Sequence, residues 1–169
     1  MKKDDLIKLL DLKPLYGEGG IYRETYRSDE ILPESVLPGR NGAHELCTAI
    51  LYLLTPETFS RMHRLASDEV YHFYMGASVE MLQLYPDGTG QVIRLGHNLE
   101  EGEQLQTVVP RGVWQGIRLV GDGDFALIGT TMAPAFDPSD YEDGVKANLI
   151  REYPAYREIL DILAGDARY

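Results

Sequence analysis

Two histidines and two acids fall close together in one short stretch, as His63, Asp68, Glu69 and His72. An imidazole titrates near neutrality, and a carboxylate beside it holds one tautomer and raises its basicity. His63 and Glu69 therefore read as a candidate catalytic general acid–base pair, with a hydrogen bond that only fixes the local fold as the plainer alternative. The same two side chains are also ligand types for a divalent metal. Zinc and iron sites usually draw three or four ligands from the protein, and this stretch offers two good ones. The first expectation is thus no cofactor, with a metal held by His63 and Glu69 as the alternative. Gln115 can both donate to and accept from a ligand. Arg23 can clasp a carboxylate or phosphate with two parallel bonds, or simply pair with Glu24. His44 and His97 sit among loop-like residues and need no function. The single cysteine, Cys47, lies in the run CTAILYLL and reads as a small buried hydrophobe, so neither an intrachain disulfide nor a multi-cysteine metal site is expected.

These side chains need strands to place them. Residues 59–65 and 69–74 are rich in aromatic and branched side chains, and Ala66, Ser67 and Asp68 supply turn chemistry, which predicts a hairpin bringing His63 near Glu69. Strict alternation from Glu69 puts Tyr71 and Phe73 on its face and His72 with Val70 on the other. Gln115 likewise shares its face with Ile117 and Leu119, opposite Trp114, Gly116 and Arg118. A bulge would reverse such a parity. Further strands are expected at 47–54, 78–85, 91–95, 106–109, 114–119 and 124–132, separated by glycine-rich turns. Strands at this spacing indicate a sandwich or barrel rather than alternating strands and helices.

Around this core, Asp4 or Asp5 can cap a short helix carrying Leu6, Leu9 and Leu10 that ends before Pro14. Gly17-Glu18-Gly19-Gly20 demands a turn, and a strand follows through Tyr22 and Arg23. That cluster lacks the helix and the Lys-Ser/Thr of a phosphate loop. Residues 29–45, with Pro33, Pro38, Gly39, Asn41 and Gly42, read as an exposed loop. Past residue 137, Asp137 or Ser139 can cap a helix carrying Val145, Leu149 and Ile150, and the acids of 137–142 read as its solvated start. Pro154 ends it, and Tyr156, Ile159, Leu160 and Leu163 predict a second helix. The expected organisation is one domain over 1–169, with the barrel at about 18–135 and a helical tail at about 137–165. With 16 basic against 27 acidic side chains, the net charge of −11 disfavours nucleic acid and anionic membrane surfaces as partners. No apolar run is long enough for a membrane span and no secretory leader is legible, so a cytoplasmic protein is expected.

The stretch around His63 resembles the first motif of the cupin superfamily, in which histidines precede a glutamate and a glycine. His63 and Glu69 stand at the motif spacing, and Gly76 closes it. The second motif keeps Pro110 and Gly112 but has Gln115 for its histidine and Leu119 for its asparagine. More closely, the chain resembles the fifth cupin family, whose proteins carry a domain-of-unknown-function label. Glu18-Gly19-Gly20-Ile21-Tyr22-Arg23-Glu24, His63-Arg64, Ser67-Asp68-Glu69, His72-Phe73-Tyr74, Val109-Pro110 and Trp114-Gln115 carry that likeness, over roughly residues 5–150. It implies an all-β, single-domain jelly-roll barrel with short helices at both ends, paired as a homodimer. It also implies a small-molecule pocket near His63, Glu69 and Gln115, with His72, Arg23, Tyr22, Tyr71, Phe73 and Trp114 as further ligand-binding candidates. The expected function is binding of a sugar or other small polar anion, with metal-independent acid–base chemistry of the epimerase or isomerase kind. A metal-dependent oxygenase or isomerase and a non-enzymatic binding or storage protein are the alternatives.

Overall fold

A computed structural model describes residues 2–37, 40 and 42–166; Pro38, Gly39 and Asn41 of the expected loop lie outside the described residues. In chain order the elements are α1 (Lys3–Leu9), β1 (Lys13–Pro14), β2 (Ile21–Arg27), β3 (Ile31–Leu32), β4 (His44–Glu45) and β5 (Thr48–Leu54). Then follow β6 (Phe59–Leu65), β7 (Glu69–Gly76), β8 (Val79–Leu84), β9 (Gly90–Leu95), β10 (Gln106–Val109), β11 (Trp114–Leu119) and β12 (Ala126–Met132). The chain ends on β13 (Tyr141–Asp143), α2 (Lys146–Glu152) and α3 (Arg157–Leu163). Six strands form one antiparallel sheet in the order β1-β2-β5-β12-β7-β10. Five form the other, in the order β13-β6-β11-β8-β9, and β3 pairs with β4 alone.

The two large sheets face each other, because each alternating strand has one apolar face to bury. Tyr52, Tyr71, Phe73 and Ile128 from the first sheet meet Val79, Met81 and Ile117 from the second in one core. Two smaller cores cover the outer faces. Leu149, Leu160 and Leu163 of α2 and α3 pack on Met62, Leu82, Leu84 and Trp114. Leu6 of α1, with Leu12, packs on Leu53 and Leu127. The architecture is therefore a mainly-β jelly roll with small terminal helices; the strand spacing implied a sandwich or barrel, and the family resemblance the jelly roll.

Several local expectations are corrected. The strands around His63 and Glu69 do not pair as a hairpin: β6 pairs with β11 and β13, whereas β7 pairs with β10 and β12. The turn at 66–68 instead carries the chain from one sheet to the other, so the two residues meet across the sandwich. Neither Asp4 nor Asp5 caps α1; both lie in its first turn, where they favour the positive end of the helix. Asp137 caps a single 3-10 turn through Ser139, and the unforeseen strand β13 intervenes before α2 begins at Lys146. Asp140, expected to be solvated, is buried against Arg40 and His44 at 2.8 and 3.1 Å, so His44 is a buried ion-network residue rather than a loop residue in water. His97 instead meets the Phe73 ring edge-on, with centroids 4.9 Å apart. Cys47 precedes β5 and is only half-buried.

Candidate functional site

Glu69 opens β7 with its carboxylate turned between the sheets, and it is 6% exposed. Gln115, on β11 of the opposite sheet and 1% exposed, donates from Nε2 to Glu69 Oε2 at 2.7 Å. Gln115 is in turn the cross-strand partner of His63. The register then slips by one residue between Gln115 and Ile117, and this bulge turns Ser60 inward as well as His63. His63 is itself buried. Its Nδ1 lies 2.7 Å from the Arg61 carbonyl, which only accepts, so Nδ1 carries the proton and Nε2 is the basic nitrogen of the neutral ring. The Tyr141 ring stacks on it at 5.1 Å. The fold thus gathers His63, Glu69 and Gln115, the three residues singled out from the sequence, by a route other than a hairpin.

Glu69 faces a cavity of about 210 Å³ walled by Leu15, Glu18, Tyr22, Tyr52, Tyr71 and Thr130, with Arg27, Phe136 and Pro138 also lining it. At ~30 Å³ per water that is room for about seven waters, or one small organic molecule. His63 and Gln115 stand behind Glu69 and do not line the wall. Burial pushes the Glu69 carboxyl above the ordinary glutamate value; His63 pulls it back, the charge of Glu18 pushes it up again, and Thr130 and Gln115 stabilise the anion. Tyr71 is held far above the ordinary phenol range, first by burial and then by Glu69; Tyr52 is raised by burial and by Glu18. These phenols stay protonated and act as donors only in that form. Tyr52 gives its proton to the Gly19 carbonyl at 2.8 Å.

Glu18 is the residue the spacing argument missed as chemistry. Positive φ at Gly17, Gly19 and Gly20 coils 15–20 into a tight loop, closed by Gly19 N to Leu15 O at 2.9 Å. At Gly20 a Cβ would lie 2.6 Å from Tyr52, so the loop needs glycine for space as well as for torsion. The loop is pinned to β6 by Arg61 N donating to Glu18 O at 3.0 Å and by Ser60 Oγ donating to Glu18 Oε1 at 2.6 Å. The signal was a lone acid flanked by glycines, legible as a turn but silent on where its carboxylate points.

The remaining candidates separate. Tyr22 and Tyr71 line the cavity. Phe73 is buried in the main core, away from the wall. Trp114 lies under the C-terminal helices with the Arg64 guanidinium 4.5 Å over its ring. His72 faces the outside of its sheet, as the parity required. It accepts from Gln106 at 2.7 Å and meets Thr131 Oγ1 at 3.2 Å. Arg23 is exposed on that same outer side of its sheet, one residue from the inward Tyr22. The cation near the cavity is Arg27, which a register slip in β2 turns inward, and Glu24 takes it with two bonds at 3.0 and 2.9 Å. Glu45 adds a third at 2.9 Å. Among the described residues no helix is long and apolar enough to cross a membrane.

The family model described as cupin superfamily (DUF985) matches residues 4–143. An uncharacterized protein of Saccharomyces cerevisiae is 31% identical over 134 residues, which are 73% of this chain but 66% of the yeast protein, just under two-thirds of its length. A hypothetical protein from Leishmania major has a solved structure with a TM-score of 0.88 at 28% identity, covering 98% of this chain and 100% of that one. A protein from Shewanella oneidensis scores 0.85 at 32% identity, covering 98% of both chains. Oxalate decarboxylase from Bacillus subtilis scores 0.54 at 15% identity, over 95% of this chain and 39% of its own, which is a likeness of fold alone.

Proposed function

Because the chain belongs to the cupin superfamily, in the family that carries the DUF985 label, we propose that it binds a small molecule between its sheets and moves a proton on it through Glu69. The observation that carries this reading is the 2.7 Å bond from Gln115 to Glu69, which fixes a buried carboxylate that faces the cavity with the His63 imidazole near it. Glu69 touches the ligand and exchanges the proton. His63 positions and tunes it: a protonated ring stabilises the Glu69 anion, and a neutral ring releases that hold. Gln115 keeps the carboxylate aimed at the cavity, while Tyr71 and Thr130 supply hydroxyls for orientation. Raising the carboxyl by burial matches the acid to work nearer neutral pH than a free glutamate would.

The metal common in the wider superfamily does not fit these residues. Among the described residues no group of three or more His, Cys, Asp or Glu side chains converges to hold an ion. Leu65 follows His63 on β6 where a second histidine ligand would stand, and Gln115 turns its NH2 toward Glu69 rather than offering an oxygen there. No step is therefore routed through a metal. An anionic ligand also has little support, since Arg23 faces outward and Arg27 is taken by Glu24 and Glu45.

The test is wash-in of solvent deuterium into carbon-bound positions of small polyols, sugars and amino compounds incubated with metal-free protein. Label entering one compound class, lost in Glu69→Gln and shifted in pH optimum in His63→Ala, supports the reading. Label that survives Glu69→Gln at the full rate refutes the role of Glu69.

A further inference from the structure

The cavity wall has an uneven complement of charges. Glu18 and Glu69 both line it, while Arg27, the one guanidinium lining it among the described residues, is paired with Glu24 in the same wall and with Glu45 beside it. Glu18 accepts from Ser60 through one oxygen, whereas Glu69 accepts from Gln115 and is also held by the Thr130 and Tyr71 hydroxyls. Behind the wall, and out of a ligand's reach, Oε1 of Gln115 is buried with no donor among the described residues. The rest of the wall is aromatic and aliphatic. The rings of Tyr22, Tyr52 and Tyr71 and of Phe136 surround the space, with Leu15, Ile50 and Met132.

Two carboxylates lining one cavity repel each other unless a positive charge lies between them. Aromatic faces attract a cation and lose nothing by contact with its methylenes. Building on the ligand-binding reading above, we propose that the cavity selects a small molecule bearing a protonated amine, and that Glu18 is the residue that recognises its charge. The size of the cavity limits the ligand to a few carbon atoms, an amino alcohol or short diamine rather than a peptide or nucleotide. Selection is set by the glycine loop: its three left-handed residues turn the Glu18 side chain inward while Ser60 fixes one oxygen, leaving the other for the ammonium.

The experiment is calorimetric titration of metal-free protein at neutral pH with ethanolamine and putrescine, and with ethylene glycol and acetate as neutral and anionic probes of similar size. Glu18→Gln is titrated in parallel after its melting curve shows that it is folded. Glutamine still accepts from Ser60, so the loop keeps its pin. The inference expects an amine to bind at least tenfold more tightly than glycol or acetate, and Glu18→Gln to lose tenfold or more for the amine alone. Equal binding of glycol and amine, or an unchanged amine affinity in Glu18→Gln, overturns the amine assignment while leaving the cavity as a ligand site. Absence of binding by all four probes overturns the assignment, and the deuterium wash-in experiment then decides separately whether the cavity acts on another class.

Discussion

Gln115→Leu separates the two jobs of this side chain. Leucine keeps the bulk near Ile117 and His63 but removes both the donor to Glu69 and the buried Oε1 that has no partner. A hydrogen bond to an ionised carboxylate is worth about 1.5–3 kcal/mol and one to a neutral acid about 0.5–1.5 kcal/mol, whereas an unsatisfied buried acceptor costs about 1–3 kcal/mol. Under acid conditions, with Glu69 protonated, the variant loses a weak bond and sheds an orphaned acceptor, so it melts at or above the wild-type temperature. At mildly alkaline pH the lost bond is the charged one, and the balance tips against leucine. The difference between variant and wild type should therefore swing by roughly 1–1.5 kcal/mol between about pH 4 and about pH 8, or about 2–6 °C in Tm for a chain of this size. The direction follows from linkage. The folded Glu69 pKa is raised, so the native state binds more protons than the unfolded chain through that window, and this residue's contribution falls as pH rises above the unfolded value of 4.5. Removing Gln115 raises the folded value further and steepens that fall. Melting curves at the two pH values are the assay. A Gln115→Leu effect that is the same at both would refute the argument that this amide reads the charge on Glu69.

Other outcomes follow from the same geometry. Tyr52→Phe removes the hydroxyl that donates to the buried Gly19 carbonyl and should cost about 1–3 kcal/mol in denaturant titration, with faster amide exchange over 15–20; unchanged exchange would mean the loop is held elsewhere. Elemental analysis of protein purified without chelator should give well below one divalent ion per chain, because His63 and Glu69 make only two strong donors; a full, tightly held ion would overturn that count. Tyr26, Tyr74 and Val108 lie about half-exposed on the outer face of the six-stranded sheet around His72, a surface suited to a second copy of the chain. Light scattering should show a dimer that Tyr74→Glu dissociates, and a monomer at all concentrations would contradict it.

Much of this molecule was legible because period-two patterning is a local property. The strands at 106–109 and 114–119 fall where their alternation put them, and parity alone sent Gln115 inward and His72 outward. Pairing partners are not local. The turn at Ala66-Ser67-Asp68 has hairpin chemistry, yet it crosses between sheets, and nothing in seven residues distinguishes the two outcomes. The register slips in β2 and β6 were equally hidden, and they decide that Arg27 rather than Arg23 reaches the cavity and that Ser60 can hold Glu18. Asp140 looked like a helix start because acids cluster there; its burial depends on Arg40 and His44, about a hundred residues earlier in the chain. Long-range electrostatics of this kind leave no trace in spacing.

The most direct test of the account is a carbon-detected NMR titration of the Glu69 carboxyl in metal-free protein, assigned by comparison with Glu69→Gln. The account predicts a midpoint above the ordinary glutamate value of 4.5, moving down toward it in Glu18→Gln and further up in His63→Ala, since Glu18 raises and His63 lowers it. A midpoint at or below 4.5 that ignores both substitutions would contradict the claim that this carboxylate is a buried acid tuned for proton transfer.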